Sequence, residues 1–306
     1  MECSIKTISH KLHKTNNFYK FAALKKIEMK NIVLIIALVL VTNFTYSQKK
    51  EKVKGSKVVT TEVKKIENFQ SLEVADNLEI FLVKGTACGL EIEADDNLHD
   101  AIDATISGST LRLTTLKSVA GFKKLSIRVT YTGDFKQVVA RNEAIISAIA
   151  DIELDTITFK SYDYSKLLLS SKSKNFSLFM EDKSTAELNT KGENTNINLS
   201  KNASLKAQVT STNLTLDLYQ KSEAVVTGEA EQMKVRLDNN ASLDAKALAV
   251  KNVELTCEAY SSVNLLVKSA ISIDASGKSE IQLYGDQKID MKRFVDSAVL
   301  TKKPTK

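Results

Sequence analysis

From Phe69 onward, apolar and polar residues alternate with a period of two. Leu72, Val74, Leu78, Ile80 and Leu82 alternate with polar neighbours, as do Leu90 and Ile92, Leu111 and Leu113, and Leu125, Ile127 and Val129. Runs of this kind, broken by Gly, Asn and Asp, predict strands with one buried face. Residues 95–104 read as a short helix or an extended loop. Beyond about residue 140 a longer period is laid over the alternation. Leu178, Ile197, Leu216, Val235, Leu255 and Ile273 follow one another at intervals of 19, 19, 19, 20 and 18 residues. A second column, Ser165, Ser184, Ala203, Ser222, Ala241, Ser261, Ser279 and Ser297, keeps the same beat. Two columns with one period predict a solenoid.

Each repeat holds two strands. In one unit Ala203, Leu205, Ala207 and Val209 point inward, a Ser-Thr turn follows, and Leu214, Leu216 and Leu218 point inward again. Each strand then pairs with its copy in the next coil, about 4.8 Å away. The predicted fold class is all-β: a β-helix with about 19-residue coils, preceded by an N-terminal run of antiparallel-type strands. About seven coils are expected, a rod segment on the order of 35 Å long.

The chain opens on an address. Met29, Lys30 and Asn31 precede ten apolar residues, Ile32 to Val41, and small residues stand at Thr45 and Ser47. A basic start, a short apolar core and a small-residue exit are the three parts of a secretory signal peptide, with the cut expected between Ser47 and Gln48. Ten apolar residues fall well short of the roughly 20 that a spanning helix needs, and no second apolar segment follows, so no membrane span is expected in the mature chain. The domain reading is then an upstream extension plus signal peptide over 1–47, with Met29 as the true start; a Lys-rich linker or loosely held first strand over 48–65; a β-helix domain over 66–290; and a C-terminal strand and basic tail over 291–306.

Composition sharpens this picture. One Pro in 306 residues fits a chain spent in ladders, because Pro cannot donate to one. The net charge of +6 is concentrated at the start: residues 1–47 hold seven Lys and two Glu, leaving 36 basic and 35 acidic side chains after them. No basic field remains to favour nucleic acid.

The opening stretch FQSLEVADNLEIFLVKG (69–85), with LEIEADDNL (90–98), ISGSTLRL (106–113) and LSIRVTY (125–131), resembles the opening of the GIN domain family, the auto-transporter adhesin head domain. Later repeats of that family read Gly-Ser-Gly-x-Ile-x-Leu. GKSEIQLYG (277–285) is similar to that motif, while KSTAEL (183–188), KNASLKA (201–207), NNASLDA (239–245) and YSSVNL (260–265) have drifted from it. The resemblance covers about residues 66–290 and implies a β-helix, often with an export signal of this kind. It also marks turns where Lys, Asn and Ser stand in place of Gly; Gly reaches positive φ freely, Asn less well and Lys poorly.

Chemistry is sparse. Past the signal segment the one histidine is His99, in an acidic stretch with Asp95, Asp96, Asp100 and Asp103. Hard oxygens suit calcium, but neither EF-hand nor nonapeptide spacing is present, and a solvated loop or helix start is the preferred reading. Catalytic, cofactor-binding and metal-ligating residues are each expected to be none. Cys3 lies upstream of the signal, Cys88 in a turn, and Cys257 in an inward column with Met180, Leu199, Leu218, Leu237 and Ala275, so Cys88 and Cys257 are expected to stay unpaired. Sequons at Asn175, Asn202, Asn213 and Asn240 follow from turn and strand composition. Tyr131, Tyr162, Tyr164, Tyr219, Tyr260 and Tyr284 do not fall in one column, which favours scattered packing over a saccharide-stacking surface. The expectation is an exported, non-enzymatic, adhesin-like binding or structural module of the bacterial envelope, periplasmic or at the cell surface, meeting a glycan or protein there. The alternatives are a polysaccharide-active β-helix enzyme, or a periplasmic sensor or assembly partner.

Overall fold

The computed structural model describes residues 50–148 and 150–304. Cys3, Met29 and the predicted cut between Ser47 and Gln48 lie outside the described residues.

Residues 50–304 build a β-solenoid of about nine turns, two more than the repeat count predicts. The spacing in sequence becomes the register in space. Leu216 stands opposite Ile197 on one side and Val235 on the other. The same column runs on through Leu255, Ile273 and Met291. It also extends backward, from Leu178 through Phe159, Val138 and Leu72 to Leu111. Leu72, Val138, Phe159, Leu178, Ile197 and Leu216 are each fully buried. A parallel ladder puts like against like at every level, so one apolar column seals itself. Each buried side chain then contributes about 1.5–3 kcal/mol.

The solenoid therefore begins well before residue 140. Strands Ser71–Val74 and Glu79–Lys84 pair in parallel with Gln137–Ala140 and Ile145–Ala148, and form a rung of the stack. Between them the chain makes an excursion. Thr110–Thr115 and Leu125–Tyr131 return parallel to the far sides of Ser71–Val74 and Glu79–Lys84, adding one more rung outside them. The antiparallel strands are confined to the closure of this end. Gly89–Asp95 lies against Leu125–Tyr131 and against Val59–Lys65, while Ile102–Ser107 pairs with Thr110–Thr115. The Lys-rich stretch thus carries a strand, Val59–Lys65, at the outer edge. Its Glu62, Lys64 and Lys65 discourage further pairing there.

Asp95 ties the closure together. Its buried carboxylate accepts backbone N–H groups from Lys57 (2.9 Å), Lys124 (3.0 Å) and Lys123 (3.1 Å). Lys52–Lys54 and Ser118–Ala120 pair in parallel, and this one side chain pins the two loops that follow them. Gly55 passes so close that a Cβ would come within 2.7 Å of the Phe122 Cα and strike the same carboxylate.

In the coils built on Thr185–Leu199, Ser204–Leu218, Glu223–Leu237, Ser242–Cys257 and Ser262–Ala275 the two halves form one strand, not two strands and a turn, whereas Lys166–Ser171 with Asn175–Met180 and Glu280–Tyr284 with Lys288–Phe294 stay as two. Ser204–Leu218 stays in the ladder throughout and bends at residues 212–213, where two successive side chains face outward. Ser211 points inward at the bend, its hydroxyl donating to the carbonyls of Glu193 (3.1 Å) and Asn213 (2.9 Å). The coils of 20 and then 18 residues have a local cause. Strand Ser242–Cys257 carries extra residues around Lys246, and the register shifts there against both neighbours.

The other corner is a type I′ turn. Asp163 and Tyr164, Asp182 and Lys183, Lys201 and Asn202, Gln220 and Lys221, and Asn239 and Asn240 all have positive φ. Ser165, Ser184, Ala203 and Ser222 close such turns onto the carbonyls of Tyr162, Glu181, Ser200 and Tyr219. The turns keep a left-handed backbone without Gly, which costs about 1–2 kcal/mol per residue for side chains such as Lys. An inter-coil bond offsets it: the N–H of Lys183 donates to Lys201 O (3.1 Å) and that of Asn202 to Gln220 O (3.0 Å). The buried residue after the turn must be small, hence the Ser/Ala column. That column ends on Ala298, not Ser297, because Glu280 registers with Val299.

At the far end, strand Lys288–Phe294 brings Ile289, Met291 and Phe294 into the inner columns, where they remain 38–45% exposed. Lys292 bulges from this strand. Lys302 occupies the inward column of Leu283, and its ammonium donates to the Gly285 carbonyl and to Gln287 Oε1.

Two outcomes follow from this packing. Leu216→Ala removes methyl groups sealed on both sides and should cost about 2–5 kcal/mol. Thr215→Ala, on the outward side, should stay within about 0.5 kcal/mol. Urea unfolding of the two variants reads the contrast, and equal losses would mean the register is wrong. The Asp95 carboxyl lies below its ordinary value: burial alone would raise it, but the N–H donors of Lys124, Lys57 and Lys123 prevail. A depressed native pKa adds stability above the unfolded value of about 3.9, lost as pH falls through the native one. Asp95→Asn should therefore lower Tm near neutral pH, and its gap from the native protein should narrow as the pH drops below about 4.

Candidate functional site

With its interior sealed, what the solenoid offers to other molecules is its set of outward rows. At the bend stands a row of amides one coil apart. Asn213 Nδ2 donates to Asn194 Oδ1 (2.9 Å), Asn194 Nδ2 to Asn175 Oδ1 (2.8 Å), and Asn175 Nδ2 to Thr156 Oγ1 (3.4 Å). Stacked amides satisfy one another as a ladder does. The hydrogen-bonded run ends at Asn213, although Gln232 and Asn252 continue the row. There an open depression of about 350 Å³ lies over the sheet. Asn213, Gln232 and Asn252 form one side, Thr215, Lys234 and Glu254 the other, and Leu214, Met233 and Val253 the floor.

This row is legible in the chain, three residues before Leu178, Ile197, Leu216, Val235 and Leu255, and sequence reasoning passed over it. Two of the sequon asparagines named above, Asn175 and Asn213, belong to it. The other two, Asn202 and Asn240, sit in the left-handed turns.

The second face beyond the depression is laced by charge. Arg236 reaches Glu258 (3.1 Å), and Arg293 reaches both Glu258 (2.9 Å) and Asp274 (2.6 Å). Such exposed pairs are each worth about 0–1 kcal/mol and fix side-chain positions more than they stabilise. Asp217, half-buried in this face, has its carboxyl pushed up by burial against the pull of Arg236 and Lys234.

The tyrosines do not fall in one column, as the sequence indicates, yet four of them share two. Tyr164 and Tyr260 share one column of this corner, Tyr164 in a type I′ turn and Tyr260 in one where only Ala259 has positive φ, and Tyr162 and Tyr219 share the column two residues before it. Each carries a cation from an adjacent coil: Arg141 over Tyr162 (4.2 Å), Lys183 over Tyr164 (5.1 Å), Arg236 over Tyr219 (5.9 Å) and Lys278 over Tyr260 (5.3 Å). The turn adds residues between apolar strands without changing the period, so the columns emerge only when the outward positions are aligned as the inward ones were. Tyr131 is of another kind, buried and stacked on Phe135 at 4.9 Å.

The acidic stretch around His99 is structural. His99 Nε2 lies 2.9 Å from Thr60 Oγ1 and Nδ1 3.5 Å from the Glu62 carboxylate, while Asp96 accepts the Ser56 hydroxyl and Asp95 ties the loops. Among the described residues, no group of three or more His, Cys, Asp and Glu is placed to hold a metal ion. Cys88 and Cys257 are both free. Burial pushes the Cys257 thiol up to about 12, which leaves it inert. No described helix is long and apolar enough to cross a membrane.

The solenoid has counterparts among solved structures. The crystal structure of a putative adhesin from Parabacteroides merdae is 18% identical, with a TM-score of 0.60 over 84% of this chain and all of that one. A putative lipid binding protein from Parabacteroides distasonis is 15% identical, with a TM-score of 0.57 over 83% of this chain and all of that one. A putative adhesin from the same organism is 14% identical, with a TM-score of 0.57 over 82% of this chain and 99% of that one. At these identities the likeness is one of fold. No curated protein matches the chain. Residues 68–286, most of the solenoid, match the model of one family, and the chain belongs to it: the putative auto-transporter adhesin, head GIN domain.

Proposed function

We propose that the mature chain is an exported, non-enzymatic, adhesin-like binding module of the bacterial envelope that works through the outward rows of its solenoid. The observation that carries this reading is the amide row, which satisfies itself from Thr156 to Asn213 and then continues, as Gln232 and Asn252, along an open depression. Amides bring a donor pair and an acceptor on one planar group, and at fixed spacing they suit an extended partner with regularly placed polar groups. The family's adhesin description supports the same reading. Export rests on the signal pattern of residues 29–47, and the non-enzymatic assignment on the absence of a catalytic motif in the sequence.

Binding of the purified exported protein to arrayed glycans and to envelope extracts, with turnover of the same glycans followed alongside, tests the proposal. Saturable binding without product is expected, weakened by Gln232→Ala with Asn252→Ala. Turnover lost on replacing a single Asp or Glu would overturn the non-enzymatic reading. Intact-mass measurement of the exported protein should find Gln48 at its start, and a product retaining Ile32–Val41 would refute export by this signal.

A further inference from the structure

We infer that the type I′ corner, from Tyr162 to Tyr260, is a stacking ridge for an extended neutral saccharide lying along the solenoid axis. This rests on the binding-module reading above and names a ligand class for it.

Tyr164 and Tyr260 are 60% and 62% exposed, even with Lys183 and Lys278 beside them. Folding does not ask for either ring. Tyr164 holds φ at +64°, a conformation that suits Asn or Gly, and Asn202 and Asn240 serve two other coils in the same position. The backbone is held by the Tyr164 N–H donating to Asp182 O (3.2 Å), as Lys183 and Lys221 are held in the same column, so it does not require the ring, which gains little burial in return. Tyr162 and Tyr219 lie two residues before this column on the same corner, and cations on adjacent coils orient all four rings.

The pitch sets the scale. Tyr164 and Tyr260 are five coils apart in register, about 24 Å at the strand spacing. Between them in the same column stand Lys183, Asn202, Lys221 and Asn240, so the rings form separate platforms with amides and ammonium groups interleaved. A lipid surface calls for a contiguous apolar patch, which this spacing denies. An anionic polymer calls for an excess of cations, yet Lys183, Lys201, Lys221 and Lys278 are matched on the same corner by Asp163, Glu181, Asp182, Asp238 and Glu258. A neutral sugar chain needs what is present: flat faces for its C–H surfaces and amides for its hydroxyls. Tyr supplies that contact area rigidly, at low entropic cost.

The chain has no Trp, so its ultraviolet emission comes from tyrosine, and four of the six tyrosines after residue 48 stand on this corner. The exported protein is titrated with two linear β-1,4-linked hexasaccharides, one of glucose and one of N-acetylglucosamine, by tyrosine fluorescence and calorimetry. At least one should bind saturably. Tyr164→Asn and Tyr260→Asn should each weaken it by about three- to tenfold, with the double variant weaker still, while Tyr164→Phe retains binding. Asn suits the left-handed backbone of Tyr164, so the urea midpoint of Tyr164→Asn should match or exceed that of the native protein, and that of Tyr260→Asn, an exposed position, should stay close to it. Binding unaffected by the Tyr variants but lost with Gln232→Ala and Asn252→Ala would overturn the ridge and leave the binding-module reading standing. Failure of both hexasaccharides to bind would overturn the ridge as well, and envelope-extract binding then decides the broader reading separately.

Discussion

Everything in this protein depends on parallel in-register stacking of like on like. A residue of one coil meets its own counterpart about 4.8 Å above and below, so the choice made once in the repeat is repeated as a contact. An inward Leu becomes a sealed column, an outward Asn becomes a hydrogen-bonded row, and a small residue after a tight turn becomes a groove that the next turn can enter. The buried columns supply the stabilising burial. The ladder fixes direction and spacing, and the surface inherits both.

That dependence explains which parts of the fold can be read from the chain. Where successive coils are stacked in chain order, as from Leu178 to Ile273, identical spacing in sequence means contact in space, and the inner columns, the inward Cys257 and the 18–20-residue irregularity are all visible. The first rungs are not legible in this way. Leu111 sits next to Leu72, and Leu72 next to Val138, so the order in space is not the order in the chain. A period search cannot find neighbours that an antiparallel excursion has interposed. The bend at residues 212–213 also escapes, because a strand that turns without leaving its ladder looks like two strands and a loop when only polarity is read. The Ser297 assignment failed for a smaller reason: the last coil holds the register of Val299, and the column moves to Ala298 with it.

The site was half legible. The amide row follows the same spacing as the core and needed only a search of polar positions. The tyrosine columns needed the turn geometry as well. Two successive left-handed residues place positions such as Asp163 and Tyr164 at the apex of the corner, and no propensity argument predicts that Tyr and Lys would hold such angles. What maintains them is the next coil, whose carbonyls accept the turn N–H groups. Local preference yields to a contact that exists only once the stack has formed.

The two ends of the stack are unlike, and this governs how such a rod can change length. Toward one end the columns run into crossed strands, buttressed by Asp95; at the other, Lys302 places a charge where an apolar side chain would continue the column. The crossed end offers no template for another coil, while the far end leaves Ile289, Met291 and Phe294 of its last rung partly exposed, with the Lys302 charge set against further pairing. A copy joined in tandem would meet the first as a separate bead. Duplication of one internal unit, by contrast, would slide between existing rungs and add about 4.8 Å to every outward row at once. Reach in this architecture is quantised, and in evolution or in engineering it is adjusted from the middle.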